Sequence, residues 1–304
     1  MPHIKLTDIC PCLVSGKTFE KCCARYNSKP LYAVTRTPDP KTGIKNSGCY
    51  ASAFSDCSTK ISREHFLSEG ILKILNENRS LTVAGFPWLK TGEHKNLHPS
   101  SLTGNVLCAR HNSALSPLDK VAIRFFRALR QIEQEFADEQ ISTLERVFLF
   151  NGHDIEQWML KTLCGLVCSK NAMNLDSESI TDWLPPISWL NMLFGIQKFR
   201  TGCGIYFEAN IGEKRPLYQG VNLAPLFDQN GNVTGIAVDL KEHSFILAMV
   251  QPPQELKGTI LEHGVYRPKE LVTRKLNEPA IKAIVLGWDS PSNGGTIEIT
   301  LSLQ

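Results

Sequence analysis

Ten cysteines mark this 304-residue chain, and seven of them, Cys10, Cys12, Cys22, Cys23, Cys49, Cys57 and Cys108, lie within its first 108 residues. Thiols clustered at short spacings serve either as a disulfide framework or as metal ligands, and the redox compartment decides which. The opening MPHIKLTDICPC lacks the apolar stretch of a secretory signal. No apolar run approaches the roughly 18 residues that a membrane-spanning helix requires. The expectation is a soluble, cytoplasmic chain with no membrane partner, in which reduced thiols bind metal. Cys164, Cys168 and Cys203 have no ligand-like company, and the first two, four apart on an apolar helical stretch, read as small core residues.

Two clusters follow from the spacings. Cys10-Pro-Cys12, nine intervening residues and Cys22-Cys23 place four thiols within 14 residues, the donor set of one tetrahedral zinc, with Lys17 and Lys21 favouring the thiolate forms. The segment CPCLVSGKTFEKCC resembles a SEC-C motif, a short zinc module that serves as an accessory contact surface. Further on, Cys108 and His111 have the C-x2-H knuckle spacing, and with Cys49 and Cys57 they complete a Cys3His site. His94 and His98, in a polar loop, are the alternatives to His111.

Closing the second site pins the strand carrying Glu64-His65 beside the turn carrying Asn112. A carboxylate and an amide oxygen are hard ligands suited to Mg²⁺ or Mn²⁺. A histidine titrating near neutral pH is suited to deprotonating an attacking water. Neighbouring residues on a regular strand point to opposite faces, so Glu64 and His65 share a site only where the strand is irregular. The bland alternatives are a surface acid, a satisfied histidine and an asparagine that caps a helix.

The segments KISREHFL and NVLCARHNSALSPLD resemble the ββα-metal core of HNH endonucleases, over roughly residues 49–120. The resemblance implies that Glu64 is the metal-binding acid, His65 the general base and Asn112 the closing metal ligand. Asn105 is then the residue that buttresses the base loop, with Asn96 the poorer candidate. It also implies that Cys49, Cys57, Cys108 and His111 hold a structural zinc. The cofactors expected are therefore two structural Zn²⁺ and one catalytic Mg²⁺ or Mn²⁺, and the expected activity is hydrolysis of nucleic-acid phosphodiesters. A role in bacterial restriction or anti-phage defence follows by analogy alone.

Charge supports that direction. Residues 1–130 carry 19 Lys/Arg against 9 Asp/Glu, whereas residues 131–304 carry 14 against 21. Such segregation suggests a basic part that faces phosphate and an acidic part that faces something else, a protein partner or activator, against the bland reading of chance segregation of solvated charge. The HNH resemblance favours DNA over RNA. Ser116-Pro117-Leu118-Asp119 reads as a helix start. Lys120, Arg124 and Arg127 line one face of that helix, which can follow a phosphate backbone or simply meet solvent.

The chain is expected to be α+β: a zinc motif at 1–27, a linker at 28–48, an HNH-like module with its following helix at 49–136, and a mixed helix and antiparallel-sheet domain at 137–304. Helical patterns fill 153–200, with Trp158, Trp183 and Trp189 as core. The stretches GNVTGIAVDL, SFILAMV, IKAIVLGW and GTIEITLSL read as strands. Asp228 to Asn232 reads as a hairpin turn rather than a calcium loop. Two readings compete with the nuclease: a non-catalytic zinc protein that binds nucleic acid or protein, and a C-terminal functional domain for which the zinc motifs are staples.

Overall fold

A computed structural model describes residues 5, 7–10, 12, 16–22, 33–75, 81–83, 86–90, 93–138, 145–208, 221–240, 243–251, 264–275, 280–289 and 295–301. The chain is α+β. Strand β1 (Ile61–His65) pairs antiparallel with β4 (Thr103–Cys108), and β4 runs directly into helix α2 (Ala109–Ala137). Between them lie helix α1 (Glu69–Leu75) and the short antiparallel pair β2 (Leu81–Val83) and β3 (Lys95–Leu97).

Helix α2 starts eight residues earlier than the Ser-Pro-Leu-Asp signal predicts, with Cys108 rather than Ser116 as N-cap, and Pro117 lies inside the helix. Proline lacks the N–H that would bond the carbonyl of Ser113. The Ser116 hydroxyl donates to that carbonyl instead, at 3.0 Å, so the helix continues through the proline. Its apolar stripe, from Leu115 and Leu118 through Phe125 and Phe126 to Ile132 and Phe136, is buried.

The remainder of the chain builds two sheets. Strand β5 (Arg146–Asn151), absent from the sequence expectation, leads into helix α3 (Gly152–Cys168), and helix α4 (Ile187–Leu193) follows. Strands β6 (Gly204–Glu208), β7 (Val221–Phe227), β8 (Val233–Leu240), β9 (His243–Ala248) and β10 (Gly264–Tyr266) form an antiparallel sheet in the order β10-β6-β9-β8-β7. Strands β11 (Glu270–Lys275), β12 (Ile281–Gly287) and β13 (Thr296–Leu301) join β5 in the order β13-β11-β12-β5. This second sheet is mixed rather than antiparallel, because β13 runs parallel to β11 and β5 parallel to β12. The turn between β7 and β8 is closed by the Asp228 carboxylate, which accepts from the backbone N–H groups of Asn230 and Asn232, with Gly231 at φ +78°. That is the hairpin reading.

Helix α3 is the axis of the fold: residues 152–167 are all buried, polar ones included. Buried polar groups persist where they are paired, and here four of them reach different parts of the chain. Asp154 accepts from the backbone N–H of Ala33 (2.9 Å). Glu156 pairs with Arg267 (2.7 Å) and accepts from the N–H of Ile205. Gln157 donates to the carbonyls of Met192 and Leu193. Lys161 reaches β1 and α2. Trp158 meets Phe126 edge-on, and Phe125 meets Phe150 and Phe245 in the same way, so helices and both sheets share one contiguous core. Cys164 and Trp189 are buried in it, while Cys168 and Trp183 pack against its edge.

The segment 33–48 is irregular but tied down. The Asp56 carboxylate accepts from the Thr37 hydroxyl and the Thr42 backbone N–H, and it pairs with Arg110 at 3.0 Å. A second buried ion cluster, Glu135 with Arg146 (2.8 Å) and Lys282 (3.2 Å), joins α2 to β5 and β12, and Arg146 also donates to the carbonyl of Cys12. No helix among the described residues is long and apolar enough to cross a membrane.

Candidate metal centres and the Glu64 corner

The Cys49, Cys57, Cys108 and His111 side chains converge, all four buried, with their ligand atoms within 4.8 Å of one another. His111 Nδ1 lies 3.4, 3.7 and 3.2 Å from the sulfurs of Cys49, Cys57 and Cys108. Tetrahedral bonds of ordinary Zn–S and Zn–N length put such atoms about 3.6 Å apart, so the donor set fits one ion. Burial raises the Cys49 and Cys57 thiols. Burial works the same way on Cys108, yet the N–H groups of His111 and Ser58 outweigh it and hold that thiol below its ordinary value. Burial also lowers His111, keeping its imidazole neutral as a ligand must be. Local structure sets up this geometry: Cys49 and Cys57 flank a short 3-10 turn at Ser52–Phe54, and Cys108 and His111 sit across the α2 N-terminus.

In the second cluster Cys10, Cys12 and Cys22 come together, with 3.5 Å between the sulfurs of Cys12 and Cys22. Cys23, expected as the fourth ligand, lies outside the described residues. His94 and His98 are both exposed and take no part in either cluster. Both clusters can hold metal ions such as zinc.

The staple fixes what lies beside it. The pairing of β1 with β4 slips between Ser62 and Glu64 and is regular again from Glu64 to His65, opposite Gly104 and Thr103. Glu64 is 5% exposed. Its carboxylate accepts a hydrogen bond from Asn112, in the first turn of α2, and contacts the ammonium of Lys161 from α3. Lys161 also donates to both carboxylate oxygens of Asp119, at 2.8 and 2.7 Å. Asp119 in turn accepts from the Ser68 hydroxyl at 2.5 Å, and the Ser68 oxygen accepts from the Trp158 indole at 2.9 Å. Burial works to lower the Lys161 pKa, but the adjacent Glu64 and Asp119 charges win and raise it. The ammonium therefore stays charged.

His65 follows Glu64 and is half-buried. Burial pulls its pKa below the ordinary histidine value, and its Nε2 is buried without a hydrogen-bond partner among the described residues. It feels the charges of Glu69, Lys161 and Asp119. The corner thus joins Glu64 and Asn112, which the sequence singles out, with Asp119 and Lys161, which it does not, and His65 lies beside it within electrostatic reach of Lys161 and Asp119. Asp119 was visible only as a helix-start acid, and Lys161 belongs to a helix 97 residues beyond Glu64, so spacing carries no sign of it.

The other named positions are placed differently. Asn105 is exposed on β4, and no hydrogen bond links it to Glu64 or His65 among the described residues. Lys120 and Arg127 are exposed on α2. Arg124 turns inward: it donates to the carbonyl of Leu149 (3.0 Å), with its guanidinium 4.3 Å from the Phe150 ring centre. Comparison with protein-family models, with curated proteins and with solved structures finds no match to this chain.

Proposed function

We propose that this chain is a metal-dependent hydrolase of nucleic-acid phosphodiesters, DNA favoured, built on an HNH-like hairpin and helix with two structural zinc ions. The observation that carries the proposal is a buried acid hydrogen-bonded to an asparagine and followed in its strand by a neutral histidine whose buried nitrogen has no partner among the described residues. All three sit on a β1–β4–α2 unit stapled by the Cys3His cluster. Neighbouring groups with perturbed pKa values are the physical signature of such a site.

In this reading Glu64 and Asp119 offer carboxylate oxygens and Asn112 an amide, a hard-oxygen set that fits Mg²⁺ or Mn²⁺. The ion, when bound, supplies charge that polarises the scissile phosphate. His65, held neutral by burial, accepts the proton of the attacking water at Nε2. Lys161 holds the two carboxylates in position beside each other, and Glu64, Asp119 and Asn112 are the groups that would hold the ion. Exposed Lys120 and Arg127 lie along α2, where a phosphate backbone would run.

One observation favours a second reading. Lys161 already neutralises Glu64 and Asp119 inside the protein, so the corner also works as a purely structural ion cluster in a zinc protein that binds nucleic acid or protein without cutting. Plasmid nicking by zinc-loaded protein with Mg²⁺, Mn²⁺ or EDTA, set beside His65→Ala, separates the two. Metal-dependent nicking lost in the variant establishes the hydrolase. Retention of DNA without nicking under any metal rejects it in favour of the binder.

A further inference from the structure

A cavity of about 530 Å³, lined by none of the Glu64 corner's residues, opens between residues 33–36, the first two turns of α3, the turn after α4 and the end of β12. Its size falls among small-molecule sites, which run from roughly 300 to 1,000 Å³. Its position has a topological reason. Asn151 closes β5 opposite Gly287, the last residue of the parallel strand β12, so the cavity lies beyond the carboxyl ends of two parallel strands, where open sheets place ligands.

The walls are apolar, from Met192, Phe194 and Phe199, and they hold one orphaned acceptor. Gln157 is 7% exposed. Its amide nitrogen is used on the carbonyls of Met192 and Leu193, while its Oε1 makes no hydrogen bond among the described residues. A buried oxygen without a partner is costly, and a small turn of the amide toward the cavity would let it accept from a bound donor.

The charged groups are arranged as well. Asp289 lies 2.6 Å from His153 Nε2 and 2.7 Å from Lys198 Nζ, and His153 Nδ1 faces Glu156 at 2.9 Å. The carboxylates here are engaged. Arg36, exposed at the rim, has no ion-pair partner among the described residues.

We propose that this cavity binds a small organic anion: an aromatic or apolar body seated among Met192, Phe194 and Phe199, an N–H or O–H donating to Gln157 Oε1, and a carboxylate, sulfonate or phosphate held by Arg36 and Lys198. A cationic ligand finds no unengaged carboxylate, and a wholly apolar one leaves both Gln157 and Arg36 unmet. The proposal stands whether or not the Glu64 corner cuts nucleic acid.

The probe is 8-anilinonaphthalene-1-sulfonate, which carries a naphthalene and a phenyl ring, one N–H and one anion, titrated by fluorescence into the zinc-loaded full chain. Its neutral relative N-phenyl-1-naphthylamine has the same rings and N–H without the charge. Saturable one-site binding of the sulfonate is expected, weakened about tenfold or more by Arg36→Glu and lost in Ile196→Trp, which fills the mouth. Binding of the neutral relative should be weaker and indifferent to Arg36→Glu. Both substitutions fall on exposed side chains, and an unchanged melting temperature shows that the fold survives them. Sulfonate binding equal in wild type and Ile196→Trp, no saturable binding, or tighter binding of the neutral relative each overturns the proposal.

Discussion

The ammonium of Lys161 is bound by both carboxylate oxygens of Asp119, at 2.7 and 2.8 Å, and by Glu64 on its other side. One side chain of α3 thus joins strand β1 to helix α2. Removing one member of a buried ion cluster leaves the others unpaired, at a cost of about 3–5 kcal/mol. Lys161→Met should lose stability on that scale in urea unfolding. Added Mg²⁺ should recover part of the loss by taking the place of the ammonium between the two carboxylates. A melting temperature of the variant that ignores Mg²⁺ would mean that the corner has no affinity for the ion.

Cleavage should follow the protonation of His65. Burial depresses the pKa of this imidazole, so activity should hold through neutral pH and fall with acidification at a pH below the ordinary histidine value of about 6.5. His65→Ala should lower the rate about 10²- to 10⁴-fold without changing the zinc content. Rates at several pH values for both proteins, with metal analysis of each, give the comparison.

The thiol clusters should be structural. The protein should carry zinc at both, and Cys57→Ser should lose the ion beside His111 and destabilise the whole fold, because closing such a site supplies folding energy outright. A strong chelator should lower the melting temperature of wild type, and restored zinc should raise it again. Calorimetry with and without chelator is the check.

Asp154 makes the fold pH-dependent in an unusual direction. Burial lifts its carboxyl to about 7, against the opposing hydrogen bond from the Ala33 N–H. The folded chain therefore holds a proton that the unfolded chain releases near pH 4, so this residue's contribution is complete in acid and is lost as pH rises towards 7. Asp154→Asn keeps the acceptor for Ala33 and removes the titration. Between pH 5 and 8 the wild type should lose about 2–3 kcal/mol relative to the variant in urea unfolding.

What the sequence reveals depends on how local the physics is. The Cys3His ligands are legible because their spacings over 49–57 and 108–111 are themselves the chemistry. Strands β8, β9, β12 and β13 show through their β-branched runs and polar turns. The start of α2 is misread because Pro117 marks a helix beginning wherever its missing N–H goes unneeded, and only the Ser116 hydroxyl reveals how the helix passes through it. Strand β5 is hidden between helical stretches, and its pairing with β12 is a contact across more than 130 residues. The segment HDIEQWMLK gives its helix a polar face. The partners of that face at Ala33, Glu64, Asp119 and Arg267 lie far away along the chain, so its burial cannot be read from the helix alone.

Helix α3 also bears on how this molecule comes apart. Its side chains grip residue 33, the hairpin at Glu64, the middle of α2, the end of α4 and Arg267. Heat or denaturant that loosens any one of these exposes buried charge at the next, so unfolding should be a single cooperative event. A protease acting on the native chain would then find nicking sites but no half that survives release. The basic and acidic halves, so distinct in charge, would share one melting temperature.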